Sequence, residues 1–311
     1  MTRLLSRLRI QMASQPLVSV ITPAYNQAAW LPDCLLSVAN QTYQHIEHIV
    51  VDDGSSDDTP SILERAAGSV RWIRQENAGQ SAAINRAFGN ARGEIVGWLN
   101  SDDAFFDVRA VERAVATFQK YPRADVVYGH AALINAEGLL LQLVWAPPFN
   151  GKLLRFTNFI VQPAAFVRRS AVGDRIVSEG YDFSMDRDLW LRMLPNHRFK
   201  RVRAITGIDR HHSSRKGVAR PDLVAADRAR IFVDHGLRDG SYPWLRKIWK
   251  IFGRFVGVAL LPESMRVRLA FAGTRDSAMK LLWRQVAVPR HAMPSGLPKD
   301  RQTSSAGKSR P

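Results

Sequence analysis

One cysteine, Cys34, stands among 311 residues. A single thiol closes no intrachain disulfide and completes no thiolate metal cluster, so the sequence reads as cytosolic. Long apolar runs are missing as well. Crossing a bilayer takes about 20 mostly apolar residues, and the longest clean run near the C-terminus, Phe255 to Leu261, has seven. Near the start, Arg3, Arg7 and Arg9 interrupt Leu4, Leu5, Leu8 and Met12, which is not the apolar stretch of a secretory signal; export is not expected. Neither a lysine-bearing P-loop nor a G-x-G-x-x-G follows the first predicted strand, which disfavours dinucleotide cofactors and ATP-type phosphate cradles.

Acidic residues are scarce beside basic ones, 28 against 44, for a net charge of +16. The excess sits at the ends: +3 over residues 1–16, +2 over 17–240 and +11 over 241–311. A nearly neutral body with basic extensions suggests an anionic surface as partner, membrane headgroups or nucleic acid, and leaves the body's own task open. With 46% hydrophobic and 23% charged residues, 20 Gly and 16 Pro, the chain has the composition of an ordinary folded protein. Its length suits one large α/β domain with an appendage, or two domains.

The run Leu17 to Thr22, stopped by Pro23, reads as a buried parallel strand, and Ala28 to Ala39 carries apolar residues at helical spacing with Pro32 in the first turn. A strand at Ile46 to Val51 leads into Asp52-Asp53-Gly54-Ser55 and a helix through Leu63. The alternation goes on: a strand at Val70 to Ile73, a helix from Gln80 to Ala91, a strand from Glu94 to Leu99 ending in Asn100-Ser101-Asp102-Asp103, a helix from Val108 to Tyr121 and a strand at Val126 to His130. Beyond Ala136 the pattern loosens, with strands expected at Phe159 to Arg168 and Val202 to Ile208 and a helix from Asp186 to Leu194. Such alternation implies a mostly parallel sheet covered by helices, with ligands at the carboxyl ends of the strands. Both acidic clusters fall at that edge.

Adjacent carboxylates at a strand end repel unless a cation sits beside them, so Asp102-Asp103 favours Mg²⁺ or Mn²⁺. Asp103 could equally cap the following helix. A carboxylate at Asp52 or Asp53 could accept from a nucleobase N–H, and Gly79, within Asn77-Ala-Gly-Gln-Ser81, would let backbone approach a ligand closely.

Four segments in order, Val18-Ser-Val-Ile-Thr-Pro-Ala-Tyr-Asn26, Val51-Asp-Asp-Gly-Ser-Ser-Asp57, Asn77-Ala-Gly-Gln-Ser-Ala-Ala-Ile-Asn85 and Trp98-Leu-Asn-Ser-Asp-Asp103, resemble glycosyltransferase family 2, inverting nucleotide-sugar enzymes of GT-A fold. The resemblance covers about residues 17 to 217. It implies an α/β fold with a GT-A-type, mostly parallel central sheet, and sugar transfer from a nucleoside-diphosphate donor to a carbohydrate or lipid-linked acceptor. Thr22 and Asp53 would sit at the nucleobase, with Asn77 and Gly79 also on the donor side. The family's metal motif falls on Ser101-Asp102-Asp103, where Asp103 would bind the divalent metal, Mn²⁺ or Mg²⁺, and Asp102 the sugar or ribose. Tyr181 to Arg192 resembles the helix that begins with the catalytic acid, making Asp186 the general base and Asp188 an alternative or support. In Arg210-His-His-Ser-Ser-Arg-Lys216, His212 would reach the metal or diphosphate, in competition with His211, and Lys216 would neutralise phosphate charge. Gln162-Pro163 resembles a segment on the acceptor side. Uridine is the commoner nucleoside in the family, with guanosine and thymidine open.

Residues 244 to 256, drawn as a helix, set Arg246, Lys247, Lys250 and Arg254 opposite an aromatic-rich apolar face, the pattern of a helix lying in a membrane interface or of one docked on a core. The expected organisation is a basic amphipathic segment 1–16, a catalytic domain 17–240, a basic helical membrane-associating extension 241–293 and a disordered tail 294–311. The protein is expected on the inner membrane face in polysaccharide or glycolipid synthesis, with no nucleic acid partner. The rivals are a same-fold nucleotidyltransferase and a non-catalytic binder of anionic surfaces.

Overall fold

A computed structural model of the chain describes residues 15–237. The amphipathic helix expected at 244–256, the tail and most of the basic N-terminal segment lie outside them.

The first apolar run becomes β1 (Val18–Ala24), buried at all seven positions because it is paired on both sides and covered on both faces. Its parallel neighbours are β2 (Ile46–Asp52) and β4 (Ile95–Trp98), and β3 (Arg71–Arg74) extends the parallel half from β2. Beyond β4 the sheet is mixed. β8 (Ala165–Arg168) runs antiparallel between β4 and β6 (Val126–Asn135), and β9 (Phe199–His211) pairs parallel to β6. Short β5 (Ala104–Phe105) and β7 (Leu140–Val144) add antiparallel partners to β9 and β6.

Along β1 and β4 successive side chains alternate between two cores. Ile21, Val96 and Trp98 meet α3 (Gln80–Gly89) and α6 (Met185–Met193). Val18, Val20, Ile95 and Leu99 meet α1 (Leu31–Ala39) and α4 (Ala110–Lys120), where Ala110, Val111, Ala114, Val115 and Phe118 form one buried stripe. Prolines enter α1 and α2 (Thr59–Ala66) only in the first turn, where no N–H is missed.

Two expectations change here. The strand expected over Phe159 to Arg168 is only half strand: Gln162–Ala164 is a 3₁₀ turn, since Pro163 has no N–H to give a ladder. The strand expected at Val202 to Ile208 is nearly twice as long, because its edge is paired by β6 almost throughout. Its far end is thereby carried to the acidic turn after β4, where Ala104 pairs with Ile208 and Phe105 with Gly207. A short α5 (Gly151–Phe156), capped by Asn150 Oδ1 accepting from the Leu153 N–H at 3.0 Å, lies in the stretch without expected elements.

Gly54 has φ +78°, and a Cβ there would meet the Asn77 nitrogen at 3.0 Å and the Gln75 oxygen at 3.3 Å. The turn after β2 therefore packs on the turn after β3 only without a side chain. Gly54→Ala is expected to lower stability by about 1–3 kcal/mol, read from urea unfolding.

Candidate active site

The turns after β1, β2, β3 and β4 and the end of β9 open onto a cavity of about 750 Å³. Asp53 stands where the first turns converge. Its Oδ1 accepts from Gln75 Nε2 at 2.6 Å and the Ala78 N–H at 2.9 Å, and its Oδ2 from the Gly79 N–H at 2.9 Å. A carboxylate offers about four lone-pair sites, so one is left. Asn77 and Gly79 line the same cavity, and the Gly79 N–H is shared between this carboxylate and Asn77 Oδ1 at 3.2 Å. Asn26, left-handed at φ +52°, accepts from the Ser56 N–H through its side chain and ties the first turn to the second.

On the opposite wall the pairing of β5 with β9 sets the acidic turn against residues 209–212. Asp102 lines the cavity, and its Oδ2 lies 3.1 Å from His212 Nε2, whose other ring nitrogen bonds Ser214 Oγ at 2.9 Å. Asp103 is buried: Oδ1 accepts from the Arg210 N–H at 3.0 Å and Oδ2 from Asn100 Nδ2 at 3.2 Å. Burial, with the charges of Asp102 and Asp209 adding, holds the Asp103 carboxyl well above the usual carboxylate range. Arg210 is the brace. Its Nε donates to the Asp102 carbonyl at 3.0 Å, its Nη2 to Asp33 Oδ2 at 2.7 Å, and its guanidinium lies 4.8 Å from the Trp30 ring centre. Asp209, also on the cavity wall, pairs with Arg215 Nη1 at 2.7 Å.

Asp186 occupies the first turn of α6 and lines the cavity. Its Oδ2 accepts from Asn158 Nδ2 at 2.9 Å. Burial raises its pKa above the ordinary aspartate value, with the Asn158 bond and the Arg187 N–H offsetting part of this and the Asp209 charge adding to it. Lys216 reaches the same cavity, its Nζ donating to Asp182 Oδ1 at 3.1 Å.

The family model of Glycosyl transferase family 2 matches residues 19–175, half of the chain and both acidic clusters. The chain belongs to that family. This transferase is 32% identical over 195 residues to the chondroitin synthase of Escherichia coli, a match covering 61% of this chain and 28% of that protein. It spans 19% to 59% of the length of eight curated relatives that it matches. Among solved structures it resembles S. aureus TarS 1-349 in complex with UDP-GlcNAc, with TM-score 0.55 and 19% identity, covering 86% of this chain and 92% of that one. It also resembles the mannosyltransferase PcManGT from Pyrobaculum calidifontis in complex with GDP-Man and Mn²⁺, with TM-score 0.53 and 19% identity, covering 91% and 86%. The fold is of the GT-A type.

The transferase brings Asp53, Asn77, Gly79, Asp102, Asp186 and Lys216 to one cavity. Four expected residues, Thr22, Asp103, Asp188 and His212, do not line it. Thr22 does not reach the nucleobase side: alternation along β1 turns it toward α1, where it is buried and bonds His48 Nε2 at 2.9 Å. Asp188 lies two positions past Asp186, about 200° around the helix, and is buried in a different set of bonds, accepting from Arg192 Nε at 2.8 Å and bonding His235 Nε2 at 2.9 Å. Asp103, expected at the metal, turns inward onto Asn100 and the Arg210 N–H, while Asp102, expected at the donor, lines the cavity. Of the paired histidines, His212 meets Asp102, and half-exposed His211 lies 3.6 Å from Asp209. Asp209, Asn100, Asn158 and Arg187 were missed. Only Asp209 carried a sequence signal, a carboxylate directly before the Arg210 stretch.

For a divalent ion the fitting donors are Asp102 Oδ2 and His212 Nε2, a carboxylate and an imidazole already aimed at one another, with Ser214 orienting the ring. Among the described residues no group of three or more His, Cys, Asp or Glu gathers as a metal site. An ion held by these two side chains would have its remaining positions completed by water and substrate phosphates. Arg210→Ala is expected to cost about 2–3 kcal/mol in urea unfolding, because it strands the buried acidic turn. Asp188→Ala is expected to lower the melting temperature while leaving nucleotide binding within threefold, as measured by calorimetry.

Proposed function

We propose that the transferase moves a sugar from a nucleoside-diphosphate donor, UDP-linked first among the candidates, to an acceptor hydroxyl with inversion at the anomeric carbon. The observation that carries this reading is one cavity lined by a carboxylate made more basic by burial, Asp186, together with Asp102, which His212 meets from behind at 3.1 Å, and with Lys216 and Arg215. Inverting transfer needs a base on the acceptor side and charge stabilisation on the leaving side. Asp186 takes the proton of the acceptor hydroxyl as that oxygen attacks the anomeric carbon. Lys216 and Arg215 neutralise diphosphate charge, and Asp53 with the Asn77–Gly79 turn forms the nucleoside end. A divalent metal held by Asp102 and His212 would stabilise the charge growing on the departing diphosphate. The UDP-GlcNAc bound by TarS and the GDP-Man and Mn²⁺ bound by PcManGT support a nucleotide-sugar donor and a metal.

The acceptor in this reading is a carbohydrate or lipid-linked glycan of a cell-surface polysaccharide or glycolipid, a proposal supported by relatives named chondroitin synthase and hyaluronan synthase. No described helix is long and apolar enough to cross a membrane. Residues 17–240 form the catalytic domain, and the basic extensions hold the protein to an anionic membrane face at the cytoplasmic side.

Calorimetric titration of the full chain with uridine, guanosine and thymidine diphosphates, each with and without Mn²⁺, tests the donor site. Metal-dependent binding of one nucleotide, weakened at least tenfold in Asp102→Ala and in His212→Ala, is the expected result. Folded protein that binds none of them would sink the donor site and favour the surface binder. Asp186→Ala is expected to lower kcat about 100- to 10,000-fold with nucleotide affinity within threefold. Only the deprotonated base works, so kcat rises with pH through the raised pKa of Asp186, and the acid limb lies above the ordinary aspartate range.

A further inference from the structure

The segment leading into the helix that bears Asp186 is held from outside it. Ser184, the N-cap residue, makes no side-chain cap bond, and its own N–H and those of the two residues before it need partners from elsewhere. They find one 43 residues later. α7 (Lys216–Ala219) is followed by α8 (Pro221–Asp234), and from α8 the buried Asp227 places Oδ2 within reach of three successive N–H groups, those of Asp182 at 3.0 Å, Phe183 at 2.6 Å and Ser184 at 2.9 Å. Three N–H groups converging on one oxygen make an anion-holding nest at the positive end of a helix dipole.

The same helix grips this segment at further points. Tyr181 Oη donates to Asp234 Oδ2 at 2.6 Å, and Arg230 Nη1 donates to the Gly180 carbonyl at 2.6 Å. Just past α8, His235 meets Asp188 at 2.9 Å, and Ile231, wholly buried, enters the core beside Tyr181, Met185 and Leu189. Each residue of the held triplet touches the site. Phe183 and Ser184 line the cavity, the Phe183 ring packs against Gly217, and Asp182 holds Lys216. The match to the family model ends at residue 175, so this strap lies wholly outside it.

We propose that Asp227 is a positioning residue for transfer: by holding the N–H groups of Asp182, Phe183 and Ser184 it fixes Asp186 against the acceptor and Lys216 at the cavity rim. Asp227 touches no cavity-lining carboxylate and acts through geometry, so an acceptor oxygen of the same shape should replace it. The inference rests on Asp186 being the base.

The test compares Asp227→Ala and Asp227→Asn in the full chain by melting temperature, hydrogen exchange of residues 180–187, nucleotide titration and initial rates. A misplacement of about 1 Å can cost about 100-fold in rate. Asp227→Ala is therefore expected to lose protection in 180–187 and about 10- to 100-fold in kcat, with donor KM within threefold. Asp227→Asn is expected to recover both to within threefold of wild type. Unchanged exchange in Asp227→Ala, or a folded Asp227→Ala with kcat within threefold, overturns the proposal. So does an Asp227→Asn that stays folded and is as impaired as the alanine variant. A wild-type protein that turns over no donor fails the transferase chemistry instead, while the exchange measurement still decides whether Asp227 holds the segment.

Discussion

Three carboxylates, Asp102, Asp103 and Asp209, meet where the end of β9 runs beside the acidic turn, and the site depends on Arg215 offsetting their charge and on Arg210 bracing the turn that carries them. Two like charges 4 Å apart repel by about 4 kcal/mol at the effective dielectric of a protein surface. Arg210 answers with its main chain and its side chain together: its N–H is taken by Asp103, its Nε by the Asp102 carbonyl and its Nη2 by Asp33. The wall of the cavity is thereby fixed to α1 on one side and to β9 on the other. Asp103, turned inward, serves as the anchor, and this leaves Asp102 free to face the cavity beside His212.

The second wall is held differently. Asp186 sits on a short helix whose lead-in, residues 182–184, is held from α8, a segment that follows it by some forty residues. The two walls are electrostatically linked through Asp209, whose charge raises the pKa of both Asp103 and Asp186. The match to Glycosyl transferase family 2 concerns residues 19–175, the half that carries Asp53, the Asn77–Gly79 turn and Asp102. Asp186, Lys216, Arg215 and the strap all come from the chain after it.

Much of the fold was legible from local pattern. The parallel half, β1 to β4 with its helices, follows from apolar runs alternating with helical spacing, and both acidic clusters lie at the strand ends as that alternation requires. Past Asn135 the reading weakened for a physical reason. β7 and the full length of β9 are strands because of their partners in the sheet, and their own residues carry little period-2 signal. The site residues divided on the same line. Asp53, Asp102 and Asp186, which line the cavity, stand out in the sequence as carboxylates after strands or at a helix start. Thr22 and Asp188 turn away from it, and motif position does not say which face of an element a side chain takes.

The sequence by itself determined the element order of the first half, the placing of acidic turns at one sheet edge and the chemical types gathered there, since these follow from periodicity and adjacency along the chain. The tertiary structure decided which carboxylate faces the cavity, which histidine meets it and what holds the segment before Asp186. Those outcomes hang on pairings of residues tens to more than a hundred positions apart, Asp103 with Arg210 and Ser184 with Asp227 among them, and no local rule encodes such pairs.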